Sequence, residues 1–319
     1  MSALPLLRRF PSLRLSRVRL GVFPTPVHSV ALADGRPLLL KRDDLTAQPI
    51  GGNKVRGLEW LLGGVGAGDR VLTVGARGST HALATATYAR SLGATVTVVR
   101  WNQEMNAAAR VVAERTRDVA GVIDVGNVPA AYAVALLLRL RSVRWIPAGG
   151  SSPLAVLGHV NAGLELADQV ARGECERPDC VVLPCGTGGT AAGVALGLRI
   201  AEMDVPVLAV RVVPRIVGSR RRVRRLARDA ARLIESAGNA SVPRLRPDDV
   251  RFDDRFYGGA YGRALPARLT RAADVGALGV LLDDTYSAKA LAAAIASDAA
   301  RPLLWLTFDG RILSSTDAP

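Results

Sequence analysis

The sequence predicts an α/β protein with a parallel sheet covered by helices on both faces. Three observations carry that expectation. Short apolar runs alternate with helical stretches from residue 71 onwards, as strands and helices do in parallel α/β folds. Glycine-rich turns lie between an apolar run and a helix at Gly51-Gly52-Asn53-Lys54 and at Gly186-Thr187-Gly188-Gly189-Thr190. Those are carboxyl ends of strands, where such folds collect ligands. No internal repeat or low-complexity segment competes.

The elements follow in chain order. Residues 1–36 are loop-rich, with Phe23-Pro24-Thr25-Pro26 as turn punctuation. Residues 38–41 form a strand, and Arg42-Asp43-Asp44-Leu45 leads to the Gly51–Lys54 turn. Two glycines permit a tight backbone there, and Asn53 suits the cap of a helix over 55–62. Then come a strand at 71–74, a helix capped by Ser79 and running to about 92, and a strand at 95–99. A helix over 103–115, a strand at 122–123, a helix over 130–140 and a strand at 144–146 complete this series. The Gly149-Gly150-Ser151-Ser152-Pro153 loop marks a boundary. A helix over 154–170, a strand at 180–183, a helix from 191, a strand at 207–213 and a basic helix follow. Residues 238–260 look irregular. An Ala-rich helix follows Tyr286, and residues 303–307 form the last strand.

Composition narrows the function. A chain of 319 residues makes one large domain or two smaller ones. Aromatics are only 4%, so Leu, Val and Ala must fill the core. The net charge of +14 suggests nucleic acid or an anionic surface. The densest cluster, Arg220-Arg221-Arg222 with Arg224 and Arg225, has no zinc-finger spacing, RNA-recognition signature or interleaved aromatics beside it. A solvated arginine-rich helix is favoured over a nucleic-acid site. Cys175, Cys180 and Cys185 are odd in number and lack CxxC spacing, which fits a reducing cytoplasm without structural zinc. The acid-free, Arg-rich first twenty residues resemble a transit peptide in composition. No run reaches the ~18 apolar residues of a membrane span.

Of the 42 basic residues only Lys41, Lys54 and Lys289 are lysines. Lysine, unlike arginine, can lose its proton and attack a carbonyl. Lys54 emerges at a strand–loop–helix junction; alone, it also reads as an exposed helix-start cation. The 186–190 turn can cradle one phosphate through backbone N–H groups at a helix start, or serve as a structural turn. It lacks the Gly-Lys-Ser/Thr of a Walker loop. Gly78-Ser79-Thr80-His81 is a hydroxyl-rich helix start that could take a carboxylate or simply be capped by Ser79. His28, His81 and His159 have no metal-ligand spacing. A lysine, a phosphate cradle and an anion site together point to pyridoxal 5'-phosphate (PLP).

At this point the sequence resembles the fold-type II PLP enzymes, specifically the D-cysteine desulfhydrase and 1-aminocyclopropane-1-carboxylate (ACC) deaminase family, nearly end to end. Pro24-Thr25-Pro26-Val27 is similar to its PTPL. Lys41-Arg42-Asp43-Asp44-Leu45 with Gly51-Gly52-Asn53-Lys54-Val55-Arg56 is similar to its KRDDL…GGNKxRKLE signature. Gly149 to Leu154 resembles GGSSPLG, 186–190 GSGGT, Tyr261-Gly262 GYG, and Tyr286-Ser287-Ala288-Lys289-Ala290 VYTGKA.

The resemblance implies the tryptophan synthase β-like architecture: two parallel-sheet domains, the smaller at 47–151 inserted into a larger one made of 1–46 and 152–319. It also places the first 36 residues inside the fold, against a transit peptide. It implies that Lys54 is the Schiff-base lysine and that Gly186, Thr187, Gly188, Gly189 and Thr190 bind the phosphate. Asn53, Thr80, Ser287 and Thr307 would contact the cofactor, with Ser287 at the pyridine nitrogen. Ser79, Thr80 and His81 would hold the substrate carboxylate, and Tyr261 and Tyr286 would flank the ring and the reacting carbon. The activity implied is β-elimination from a small D-cysteine-like amino acid, giving pyruvate and ammonia, by a cytoplasmic homodimer. β-Replacement in a biosynthetic pathway is the alternative within PLP chemistry. An inactive or nucleic-acid-binding paralogue is the alternative outside it.

Departures stand out in two of the family's motifs. The family's QSNHA is Gly78-Ser79-Thr80-His81-Ala82 here, so Gly78 replaces a glutamine and Thr80 an asparagine. Its HTGG is Leu306-Thr307-Phe308-Asp309, so Phe308 and Asp309 replace small residues and are expected to reshape the pocket.

Overall fold

The computed structural model describes residues 4–140, 143–266, 269, 276 and 278–314. Two sheets organise them. A six-stranded sheet comprises β1 (Val27–Ala31), β2 (Pro37–Lys41), β7 (Cys180–Cys185), β8 (Val207–Arg211), β9 (Val250–Asp253) and β10 (Pro302–Trp305), in the order β1-β2-β10-β7-β8-β9. A four-stranded sheet comprises β3 (Arg70–Ala76), β4 (Thr95–Trp101), β5 (Gly121–Val125) and β6 (Arg144–Ile146), in the order β5-β4-β3-β6. Every pairing is parallel except β1 with β2. The residues of the second sheet thus interrupt the first between β2 and β7.

The helices are α1 (Pro5–Arg9), α2 (Lys54–Leu61), α3 (Thr80–Ser91), α4 (Ala107–Val119), α5 (Val128–Arg139), α6 (Pro153–Ala171), α7 (Gly189–Ile200), α8 (Arg220–Gly238) and α9 (Ser287–Ile295), with a last turn at Arg311–Ser314. Side-chain oxygens of Ser79, Asn106, Asn127, Ser152 and Ser219 cap α3, α4, α5, α6 and α8, each accepting an otherwise orphaned amide. On one face of the larger sheet, α6, α7 and α8 bury Val156, Leu196 and Ile234 against Val181 and Leu303. On the other, α9 covers Leu38, Val182 and Leu304. The basic helix α8 buries Val223, Leu226, Ala230 and Ile234 and turns most of its arginines outward, as a solvated amphipathic helix does.

Two strands escape the sequence reading. β1 lies in the segment expected to be loop, and β9 in the stretch expected to be irregular. Both are short edge strands whose burial is partial, so their apolar signal is weak. The helix expected over 103–115 begins instead at Ala107, because Asn106 caps it.

A buried ion network ties α2 to its surroundings. Arg56 donates to both Asp43 oxygens at 2.7 and 2.8 Å and to both Glu165 oxygens at 2.9 Å. Lys41 Nζ donates to Glu165 Oε1 at 2.6 Å and Gln169 Oε1 at 2.6 Å. Trp305 Nε1 donates to Asp43 Oδ2 at 2.8 Å. Backbone packing is as close: a Cβ on Gly158 of α6 would lie 2.0 Å from the Arg56 carbonyl oxygen. The start of α2 is thereby fixed between β2, α6 and β10.

Candidate active site

Between the two sheets lies a cavity of about 670 Å³. Lys54 opens onto it from the first position of α2, half-buried. Among the described residues its ammonium has no hydrogen bond or ion pair. Burial therefore lowers its pKa to about 8, opposed only weakly by Cys185. That thiol is itself pushed up to about 12 by burial and stays neutral. The other two lysines are engaged. Lys41 belongs to the ion network, and Lys289 donates to the Tyr257 carbonyl at 2.8 Å.

The turn before Lys54 is held from two sides. The Asn53 amide donates to the Thr307 carbonyl at 3.2 Å. Asn53 Nδ2 donates to Thr190 Oγ1 at 2.7 Å. Asn53 was expected to cap α2 with its side chain; it does not, because that amide reaches across to the 186–190 loop. Gly52 adopts φ +107, and a Cβ there would sit 2.7 Å from the Thr307 oxygen. Only glycine suits that turn.

The 186–190 loop lines the cavity opposite. Gly188 takes the left-handed conformation at φ +90 and opens α7 without a side-chain cap. The first amides of α7 therefore lack intrahelical partners, and space around Gly186 is open. Arg222 Nε donates to the Thr187 carbonyl at 2.9 Å and steadies the loop from α8. This is a nest for one anion.

Ser79 caps α3, accepting from the Ala82 amide at 3.3 Å, and also lines the cavity with Thr80. The Tyr261 and Tyr286 hydroxyls bond to each other, with ring centroids 6.0 Å apart at 72°. Burial raises both pKa values, Tyr286 to about 12 and Tyr261 well above its ordinary value, with Tyr286 adding to the second. The Thr80 hydroxyl bonds Tyr286. Tyr286, Tyr261 and Thr80 therefore form one neutral hydroxyl chain on the cavity wall.

The remaining expected residues lie less directly. His81 is buried. Its Nε2 lies 3.4 Å from Thr73 Oγ1 and 3.5 Å from Thr85 Oγ1, and the Pro147 carbonyl is its other partner. Burial, with Lys54 nearby, drops its pKa to about 3. It is a neutral ring on the first turn of α3 and lines the cavity with Ser79 and Thr80. Ser287 is buried at the start of α9, its hydroxyl beside the Asp283 carboxylate. Thr307 lines the floor.

Phe308 and Asp309 do not reshape the cavity. Phe308 packs with Ile50, Leu83, Val112 and Ile312. Asp309 accepts from the Gly51 amide at 2.8 Å and pairs with Arg311 at 2.7 Å. Both turn away from the cavity and brace the turn before Lys54.

Sequence reading missed the residues that join the two lobes. Asn106 Nδ2 donates to the Gly262 carbonyl at 2.7 Å and to Thr285 Oγ1 at 3.1 Å, and Arg263 pairs with Glu104 at 3.1 Å. Gln103 reaches into the cavity and accepts from the Gly78 amide at 3.0 Å. These contacts span more than 150 residues or depend on a loop, so no local spacing announces them.

The residues fit PLP. Lys54 offers an unpaired amine of lowered pKa, and the start of α7 an anion nest. Fold and site together define a fold-type II PLP enzyme. Residues 18–303 match the family described as pyridoxal-phosphate dependent enzyme, and the chain belongs to it. A D-cysteine desulfhydrase of Salmonella choleraesuis is 32% identical, over 91% of this chain and 89% of that protein. The nocardicin C-9' epimerase of Nocardia uniformis subsp. tsuyamanensis is 37% identical, over 86% of each. A putative ACC deaminase of Pyrococcus horikoshii is 34% identical over 89% of this chain and 86% of its own. The solved structure of an ACC deaminase homologue superposes with TM-score 0.78 at 26% identity, covering 98% of this chain and 99% of that one. Among the described residues no helix is long and apolar enough to cross a membrane.

Proposed function

We propose that this protein is a PLP-dependent lyase that removes a β substituent from a small, D-cysteine-like amino acid. With D-cysteine, one water is consumed and pyruvate, ammonia and sulfide are released. The observation that carries this reading is the uncompensated Lys54 amine facing the 186–190 nest. PLP, when bound, withdraws electrons from the substrate nitrogen and so acidifies the hydrogen on Cα.

The chain's own residues supply the rest. Lys54 holds the cofactor aldehyde and afterwards accepts the Cα proton, a task suited to an amine that titrates near 8. The amides of 186–190 bind the phosphate, and Asn53 keeps that loop in register with Lys54. Ser79, Thr80 and His81 receive the substrate carboxylate at the start of α3. Thr80 and Thr307, which line the cavity, would also contact the cofactor. Tyr261 and Tyr286, neutral at physiological pH, donate a proton toward the leaving group. Ser287 pairs with the ring nitrogen. The smaller domain at 47–151 is inserted into the larger one, with the cofactor in the cleft between them.

An absorbance spectrum recorded against a panel of D- and L-amino acids tests the reading, with pyruvate as readout. A colourless protein that makes no pyruvate and shifts DNA in a salt-dependent way would sink it. A new amino acid in place of pyruvate, on adding a nucleophile, would favour β-replacement. Inversion at Cα is a second reading. The similarity to the epimerase favours it, as does a second proton carrier in the Tyr261–Tyr286 pair. The working unit is a cytoplasmic homodimer; light scattering at the 33.6 kDa chain mass would remove the dimer.

A further inference from the structure

We propose that the cavity continues outward into an apolar vestibule that takes the side chain of an amino acid bearing an aryl or branched alkyl group. The inference rests on the PLP reading above and names a substrate class beyond cysteine. The floor of the cavity is polar, and one side of its outer wall is apolar. Trp101 at the end of β4, Val128 and Tyr132 on α5, and Ile216 and Val217 after β8 all line it. Ile216 is 90% exposed, and Val128 and Tyr132 are each 43% exposed. Single exposed apolar side chains need no explanation. Several converging on one cavity mouth from separate elements mark a binding surface.

The wall is also held in place. The Tyr132 ring packs edge-on against Trp145 at 6.3 Å and 66°. Opposite, Arg222 is tethered to the Thr187 carbonyl, so its guanidinium borders the mouth beside the anion nest. A cysteine side chain ends at the sulfur next to Cβ and would leave this wall in water. An aryl or branched chain on the same carbon would extend towards it. The whole cavity, about 670 Å³, falls inside the roughly 300–1,000 Å³ range of sites that enclose drug-sized ligands.

The test uses the full-length protein freed of cofactor and two reduced adducts, N-(5'-phosphopyridoxyl)-D-alanine and N-(5'-phosphopyridoxyl)-D-phenylalanine. Calorimetry reads their affinities without any chemistry. The phenylalanine adduct is expected to bind about tenfold more tightly or better, the discrimination a hydrophobic pocket gives. Ile216→Ser and Tyr132→Ala should shrink that ratio towards one. Leu136→Ser, on the exposed face of α5 outside the cavity, should leave the ratio intact. Equal affinities, or a ratio unchanged in both vestibule variants, overturn the proposal. So does light scattering in which Ile216→Ser and Leu136→Ser both dissociate an oligomer, since the patch is then an interface between copies. If neither adduct binds, the PLP reading itself fails.

Discussion

Lys54 and Arg56 stand two residues apart at the start of α2, and only Arg56 has carboxylates. Arg56 is clamped by Asp43 and Glu165, which outweigh burial and keep it charged. Lys54 has no such partner among the described residues, and burial pulls its pKa down to about 8. Little more than half a turn thus separates a permanent structural cation from an amine able to react.

Borohydride reduction of the PLP-bound protein should therefore place the pyridoxyl label on Lys54. Label on Lys41 or Lys289 in peptide mapping would remove Lys54 from its role. The cofactor-free protein offers a second check. A lysine whose folded pKa lies below its unfolded 10.5 destabilises the fold most below about 8, and the penalty fades as pH rises towards 10.5. Lys54→Met should raise stability in urea by about 1–3 kcal/mol at pH 7, and the gain should shrink above pH 8. A gain independent of pH would mean that packing, not charge, is its source.

Breaking the ion network should be severe. Arg56→Met leaves Asp43 and Glu165 buried without their main partner, at about 3–5 kcal/mol. Burial raises the Glu165 pKa, but Arg56 and Lys41 outweigh it and hold the carboxyl at about 2. The stability it contributes is complete above its ordinary value of 4.5 and lost as pH falls towards 2. Urea unfolding of wild type and Glu165→Gln should therefore converge below pH 4.5. Parallel curves down to pH 2 would exclude the network as their cause.

The two glycine turns were legible because their signals are local: an apolar run, glycines, then a helix start. The ion network was not, because Lys41, Arg56 and Glu165 lie more than 100 residues apart at the extremes. Asn53 misled for a related reason. It stands where a cap would stand, but Thr190 offers its side chain a tertiary partner. Phe308 and Asp309 lie next to Thr307 in sequence, yet the chain turns after Thr307 and aims them at Ile50 and Gly51. Proximity in sequence marked them as cavity residues, and backbone direction decided otherwise.

Gly78 is predicted to be intolerant of any side chain. A Cβ there would lie 2.5 Å from Ala109 Cβ on α4. Gly78→Ala should cost about 1–3 kcal/mol by overpacking, measured by urea unfolding. Ala109→Gly should recover part of that in the double variant. Additive effects of the two changes would show that the helix moves freely and that the contact is not limiting.

The last prediction concerns the branch of the family. Ser287 is where the resemblance puts the pyridine-nitrogen partner, and its hydroxyl is buried beside Asp283. The neighbouring carboxylate, Asp283, is not a substitute. It accepts from the amides of Thr285, Tyr286 and Ser287 at 3.0, 2.8 and 2.9 Å, and burial raises its pKa. A neutral hydroxyl stabilises a ring-nitrogen proton far less than a carboxylate does. The electron sink is then weaker, and chemistry that expels a good β leaving group is favoured over cyclopropane opening. Thr307, which the resemblance matches to the desulfhydrase branch, points the same way. Pyruvate should form from D-cysteine and β-chloro-D-alanine, with little from ACC. Ser287→Glu should shift the absorbance of the bound cofactor, because a carboxylate would hold the ring proton. The reverse substrate preference would overturn the branch assignment. An unchanged spectrum in Ser287→Glu would remove Ser287 from the ring nitrogen.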